Sequence, residues 1–133
     1  MTAVFLDTVG IIAVWDTSDQ WHAPAAAAYE LLKQQGRQLL ATTPVLLECG
    51  NAAARRPYRS RVKVLRQALL SEQLLIEPTP DDWAAAWDAF DRGEANQAGI
   101  VDHLSFAVMR RLEISEAFTN DQHFRAAGFT TLF

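Results

Sequence analysis

The sequence predicts a three-layer α/β/α sandwich built around a mainly parallel five-stranded sheet. Short apolar runs alternate along the chain with longer segments of helical periodicity, and strands separated by helices pair in parallel through right-handed crossovers. The chain has 133 residues, of which 50% are hydrophobic and 21% charged, and no low-complexity linker interrupts it. We therefore expect one globular domain, residues 1–133, with a sizeable core.

Five short apolar runs, bounded by polar residues or proline, are the predicted strands. In chain order they are AVFLD (3–7), QLLATT (38–43), LLIEP (74–78), EAFTN (116–120) and TTLF (130–133). Each is short enough to cross a small sheet once.

Five segments with apolar residues recurring every three or four positions are the predicted helices. In chain order they are WHAPAAAAYELLKQQG (21–36), PVLLECGNAAARR (44–56), YRSRVKVLRQALL (58–70), DDWAAAWDAF (81–90) and IVDHLSFAVMRRLE (100–113). Gly36 is a C-terminal stop for the first helix, and Pro44 fits the first turn of the second.

We predict a cytoplasmic protein. The first residues run directly into the first strand without a basic segment or a small-residue cleavage site, and no apolar run approaches membrane-spanning length. Cys49 is the single cysteine, which excludes an intrachain disulfide and a cysteine-rich zinc site. A free thiol also fits a reducing compartment.

Charged residues are unevenly distributed along the chain. Six of the twelve Lys and Arg lie between positions 55 and 66 with no acid among them, whereas residues 72–94 carry seven acids against Arg92. Two solvated helix faces would account for both clusters, but a basic cluster on a chain of net charge −4 also indicates a binding surface. The basic cluster consists of Arg55, Arg56, Arg59, Arg61, Lys63 and Arg66.

Four acids are predicted to meet at one edge of the sheet. Asp7 follows the first strand and Asp121 follows the fourth, and the carboxyl ends of parallel strands share the edge where ligands bind in this fold class. Glu48 and Asp102 have apolar or small neighbours, and both lie near the starts of helices that can face this edge. Each acid taken alone also has a purely structural interpretation, such as a helix N-cap for Asp102 or Asp121.

Four carboxylates in one cleft predict a divalent metal centre. Close like charges repel by roughly several kcal/mol per pair at an intermediate dielectric, so bound cations or protons must offset them. Carboxylate oxygens select Mg²⁺ or Mn²⁺ over zinc, and such ions activate water and neutralise a phosphodiester during hydrolysis. Sixteen acids less these four leaves twelve, which equals the number of Lys and Arg.

The segments VFLDT, TTPVLLECGNAAAR, GIVDHLSFAVMRRLEI and EAFTNDQHFRAAGF resemble the PIN-domain ribonucleases, especially the VapC-like toxins of bacterial toxin–antitoxin pairs. The resemblance spans nearly the whole chain and is most specific in the last 34 residues. It implies an Mg²⁺-dependent endoribonuclease, with Mn²⁺ as a substitute, that forms homodimers and is inhibited by a cognate antitoxin. It assigns the catalytic and metal-binding acids to Asp7, Glu48, Asp102 and Asp121.

One departure from the family pattern is Val9-Gly10, where relatives often carry a small polar residue that supports the metal ligands. Other hydroxyl and amide side chains lie near the four acids in sequence and are candidates for hydrogen bonds to the ligands or to phosphate. Turn and cap roles are the alternative for each of them. These candidates are Thr8, Ser105, Thr119 and Asn120.

The basic cluster is predicted to bind RNA phosphates through Arg55, Arg56, Arg59, Lys63 and Arg66, of which Arg59, Lys63 and Arg66 share one helix side. The alternative is a non-catalytic interaction module in which the cluster binds nucleic acid or an antitoxin-like partner. A phosphatase with Asp7 as nucleophile is disfavoured, because the second acid it needs two residues later is replaced by Val9.

Overall fold

The computed structural model describes residues 2–133, and Met1 lies outside the described residues. The strands are β1 (Val4–Leu6), β2 (Leu39–Thr42), β3 (Leu75–Ile76), β4 (Glu116–Phe118) and β5 (Thr130–Thr131). They form one sheet in the order β3-β2-β1-β4-β5, and every neighbouring pair is parallel. The predicted sandwich on a parallel five-stranded sheet is confirmed.

The five predicted helices are present, and three further helical segments were not predicted. The predicted ones are α2 (His22–Gln34), α3 (Thr43–Ala53), α4 (Arg61–Ser71), α5 (Pro80–Asp91) and α7 (Ile100–Arg111). The additional ones are α1 (Thr8–Trp15), α6 (Glu94–Gln97) and α8 (Gln122–Ala126). No helix within residues 2–133 has the length and apolar character that crossing a bilayer requires.

Local signals fix the ends of the helices. The hydroxyl of Thr42 accepts a hydrogen bond from the backbone N–H of Val45 (3.3 Å) at the start of α3, where Pro44 lies in the first turn. Helix α2 ends before Gly36, which adopts the left-handed φ of 65° that glycine tolerates. The predicted roles of Pro44 and Gly36 are confirmed.

The core surrounds the two central strands. All three residues of β1 are buried, and Leu6 is in register with Phe118 of β4. The largest fully buried side chains include Phe5, Phe106, Phe118 and Phe124, which lie on strands and on helices of the chain's second half. A central parallel strand is covered on both faces, which explains why β1 is apolar throughout.

Gly10 allows α1 to pack directly against the end of β4. A Cβ atom at this position would lie 2.1 Å from the carbonyl oxygen of Phe118 and 2.6 Å from its ring. Any larger residue would therefore push α1 away from the sheet. Since α1 begins immediately after Asp7, this contact also sets the position of Asp7 relative to the end of β4.

The segment between α5 and α7 is a left-handed turn. Gly93, Ala95, Asn96 and Gln97 have φ values of 66°, 53°, 57° and 60°, so α6 does not have ordinary α-helical geometry. A left-handed conformation costs a non-glycine residue roughly 1–2 kcal/mol. Tertiary contacts must hold this turn, because its local sequence does not favour it.

Candidate active site and metal centre

Asp7 and Asp121 lie at the same edge of the sheet, as the order of the strands requires. Asp7 directly follows β1, and Asp121 lies three residues beyond the end of β4, the neighbouring parallel strand. Thr119 connects the two acids, because its hydroxyl donates to Asp7 Oδ2 (2.9 Å) and accepts from the backbone N–H of Asp121 (3.1 Å). The prediction of a shared edge agrees with this geometry.

The electrostatics of Asp7 and Asp102 show that the acids converge. Asp7 is 2% exposed, and its burial, followed by the negative charge of Asp102, raises the pKa of its carboxyl to about 7. Burial, followed by the charges of Asp121 and Glu48, raises the pKa of Asp102 to about 6. The four acids therefore affect one another's protonation, and a cation among them would relieve this repulsion.

Glu48 faces the same cleft from α3. The hydroxyl of Thr8 donates to Glu48 Oε1 (2.7 Å), so the residue after Asp7 orients the second acid. The cleft has a volume of about 590 Å³ and is lined by Asp7, Thr8, Val9, Glu48, Asn51, Ala52 and Asp102. Asn51 was not among the predicted residues, although its position three residues after Glu48 places it on the same helix side.

Asp121 is both a neighbour of the other acids and a helix cap. Its Oδ1 accepts a hydrogen bond from the backbone N–H of His123 (2.9 Å) at the start of α8. The N-cap interpretation and the proximity to Asp102 are therefore compatible. Capping also fixes the carboxylate in one orientation.

The donor set suits a hard divalent cation, because it consists of carboxylate oxygens in a partly buried cleft. Within residues 2–133, no three His, Cys, Asp or Glu side chains are already arranged to ligate one ion together. Hydrogen bonds from Thr8 and Thr119 hold Glu48 and Asp7, and mutual repulsion keeps like charges apart. The acids share a cleft, and ion binding requires their side chains to close in.

The supporting residues predicted from sequence divide into two groups. Thr8 and Thr119 contact acids of the cleft. The buried hydroxyl of Ser105 donates to the carbonyl of Val101 (2.9 Å) within α7, so the predicted contact to a ligand is not formed. Asn120 is joined to Arg125 through its backbone carbonyl (3.4 Å).

Val9 forms an apolar part of the rim. Its side chain lines the cleft, and the residue is 41% exposed. The departure from the family pattern at this position therefore places a hydrophobic group where a substrate would approach the acids. The other half of the departure, Gly10, is explained by the packing of α1 on β4.

A basic groove runs between α3 and α4. It has a volume of about 320 Å³ and is lined by Gly50, Ala54, Arg59, Val62, Lys63 and Arg66. The three cations predicted to share one side do line this groove. Gly50 and Ala54 lie on the other side of α3 from Glu48, so α3 separates the groove from the acidic cleft.

Arg55 and Arg56 lie outside this groove. Helix α3 ends at Ala53, which leaves both residues exposed in the following turn rather than on the helix predicted to extend to position 56. Arg56 forms an ion pair with Asp16 (3.1 Å). Its contact with the end of α1 argues against the predicted role in RNA binding.

Comparisons with known proteins identify similar folds and sequences. The model of the PIN domain family matches residues 4–130. The 23S rRNA-specific endonuclease VapC20 from two strains of Mycobacterium tuberculosis is 31% identical over 132 residues, which cover 95% of both chains. The crystal structure of VapC20, described as a sarcin-ricin loop cleaving toxin, is 26% identical with a TM-score of 0.78 over 96% of this chain and 97% of that chain. FitAcB from Neisseria gonorrhoeae, at 16% identity, has a TM-score of 0.65 over 98% of this chain and 96% of its own, a likeness of fold alone.

Proposed function

The chain belongs to the PIN-domain family, and on that premise we propose that it is an Mg²⁺-dependent endoribonuclease toxin inhibited by a cognate antitoxin. The observation that carries this proposal is the convergence of Asp7, Glu48, Asp102 and Asp121 at the carboxyl ends of β1 and β4. A buried cluster of acids with raised pKa values is costly without a cation.

The four acids would hold Mg²⁺, or Mn²⁺ in its place. When bound, such an ion lowers the pKa of a water molecule and neutralises negative charge on a phosphodiester. The chain's own residues orient the ligands: Thr119 holds Asp7, Thr8 holds Glu48, and the start of α8 holds Asp121. Supporting hydrogen bonds of this kind set the direction in which a carboxylate presents its oxygens.

The basic groove supplies the affinity for RNA. Arg59, Lys63 and Arg66 offer three cations beside the small and apolar residues Gly50 and Ala54. An RNA strand that crosses α3 would contact these cations while a phosphodiester lies near the acids, and cationic contacts account for much of the affinity for single strands. We propose the sarcin–ricin loop of 23S rRNA as the first substrate to test, because the relative VapC20 acts on it.

The partners follow from the same premise. A toxin that cleaves ribosomal RNA would act in the cytoplasm, as a homodimer, and would be held inactive by an antitoxin protein until it is released. The family resemblance supports these proposals. Analytical ultracentrifugation of the purified chain, alone and with the product of a neighbouring small gene, tests both assemblies.

The test of the proposed activity is cleavage of a sarcin–ricin loop RNA by the purified chain. We expect cleavage with Mg²⁺ or Mn²⁺, none with EDTA, and products that carry a 5′-phosphate. Asp102→Asn should abolish cleavage and keep the fold, because the amide preserves shape and removes a negative ligand. Asp91→Asn, on the exposed surface of α5, is the matched control and should cleave like the parent.

Equal cleavage by the parent and Asp102→Asn would contradict the assignment of Asp102. Tight RNA binding with no cleavage of any RNA in the presence of Mn²⁺ would instead favour a non-catalytic interaction module. Sequencing of RNA 5′ ends after brief expression in cells extends the test to substrates other than the sarcin–ricin loop.

A further inference from the structure

Asp102 is held by the backbone that precedes its helix. Gly99 is the N-cap of α7, and the carboxylate of Asp102 in the first turn accepts a hydrogen bond from the backbone of Gly99. This is the reciprocal half of a capping box, in which an acid at the third helical position reaches back to the N-cap. The orientation of Asp102 therefore depends on where the preceding segment places Gly99.

That preceding segment is the left-handed turn from Gly93 to Gln97. Ala95, Asn96 and Gln97 all have positive φ, and Ala98, which follows, is 1% exposed. Backbone bonds from Gln97 N–H to the Gly93 carbonyl (3.2 Å) and from Ala98 N–H to the Glu94 carbonyl (3.3 Å) close the turn. These bonds do not remove the steric penalty of three consecutive left-handed residues other than glycine.

His123 is the side chain that fastens this turn from outside. Its Nδ1 lies 3.1 Å from the carbonyl oxygen of Ala95, so the tautomer protonated at Nδ1 donates a hydrogen bond to the turn. The backbone N–H of the same residue donates to Asp121 Oδ1 (2.9 Å). One residue thus contacts the fourth acid directly and the support of the third acid through two backbone groups.

We propose that His123 is a positioning residue that fixes Asp102 relative to Asp121 by fastening the left-handed turn through the Ala95 carbonyl. The inference rests on the proposed function, since positioning is meaningful only if the acids bind an ion. His123 itself touches neither substrate nor metal in this account. Its role is to keep the turn in the conformation that presents the Gly99 backbone to Asp102.

Three variants separate this role from a general contribution to stability. His123→Leu keeps an apolar side chain of similar size and removes the donor, whereas His123→Asn restores a donor, Nδ2, at nearly the position of Nδ1. His22→Leu is the matched control, because His22 Nδ1 makes the same kind of contact to the Ala13 carbonyl (2.9 Å), near the opposite end of α1 from Asp7.

Three measurements apply to these variants: Mn²⁺ affinity by calorimetry, kcat and KM for RNA cleavage, and amide hydrogen exchange of residues 93–99 in EDTA. His123→Leu should weaken Mn²⁺ binding and lower kcat by roughly tenfold, as loss of a supporting contact does, with KM unchanged. Exchange in residues 93–99 should accelerate. His123→Asn should restore all three values, and His22→Leu should leave them unchanged while lowering Tm.

Should His123→Leu not fold, the double variant His123→Leu/Ala95→Gly provides the comparison, because glycine adopts the left-handed conformation without a steric penalty. The proposal is overturned if His123→Leu keeps the parent's Mn²⁺ affinity and exchange rates, or if His123→Asn is as impaired as His123→Leu. A parent that binds Mn²⁺ but cleaves no RNA would contradict the proposed function alone, since metal affinity and exchange still test His123.

Discussion

Replacing Asp7 by asparagine is expected to stabilise the metal-free protein at pH 8. Asp7 is 2% exposed, and burial and the charge of Asp102 raise the pKa of its carboxyl from 3.8 to about 7. At about 1.4 kcal/mol per pKa unit, holding this charge in the folded state costs on the order of 4 kcal/mol. Asparagine carries no charge, and its side-chain oxygen can still accept the hydrogen bond from Thr119.

The sign of the pH dependence follows from the raised pKa. The folded state binds a proton on Asp7 more tightly than the unfolded state, so the stability of the parent falls as pH rises from about 4 to about 7 and is then constant. The advantage of Asp7→Asn should therefore be largest at pH 8. It should shrink to about 1 kcal/mol at pH 4.5, where most folded molecules keep the proton.

Thermal unfolding in EDTA at pH 8 and pH 4.5 measures this difference. We expect Asp7→Asn to melt higher than the parent at pH 8, by on the order of 10 °C for a domain of this size. Asp91→Asn, which changes an exposed acid, is the control with an unchanged Tm. A variant that melts at or below the parent's temperature at pH 8 would refute the argument from charge burial.

Three further predictions follow from other contacts. Millimolar Mg²⁺ should raise the Tm of the parent above its value in EDTA at matched ionic strength, because cations relieve the clustered carboxylates; identical melting curves would count against the metal centre. Replacing Arg59, Lys63 and Arg66 by Ala in a cleavage-deficient background should weaken RNA binding and reduce its salt slope by up to about two, at roughly 0.7 per phosphate, and an unaltered slope would assign the groove to a protein partner. Arg111→Met should cost about 2 kcal/mol in urea unfolding, because Arg111 makes two or more hydrogen bonds to the buried carboxylate of Asp82 (2.8–3.1 Å), and an unchanged midpoint would show that this pair contributes nothing.

The sheet and the meeting of Asp7 with Asp121 were predictable because both follow from general rules of parallel α/β folds. Alternating strands and helices imply parallel pairing, and parallel neighbours place their carboxyl ends together. Helix α1 was missed because its sequence, TVGIIAVW, is apolar almost throughout and shows no helical period. Its helical state depends on packing, including the close approach of Gly10 to Phe118.

The left-handed turn and the pairing of Arg56 were not predictable from local sequence. Alanine at position 95 disfavours the conformation that it adopts, and the contact with His123 is 28 residues away in the chain. Arg56 pairs with Asp16, a separation of 40 residues, so its position in a basic run gave no indication of its partner. Tertiary contacts of this kind determine which member of a charged cluster remains available for RNA.

The most direct test of the metal centre is a crystal structure of the parent grown with Mn²⁺ and recorded at a wavelength that gives anomalous scattering from manganese. The account predicts an anomalous peak in the cleft, bounded by the carboxylates of Asp7 and Asp102, with Glu48 and Asp121 turned towards it. A cleft without a peak, in protein that cleaves RNA under the same Mn²⁺ concentration, would contradict the claim that these four acids hold the catalytic ion.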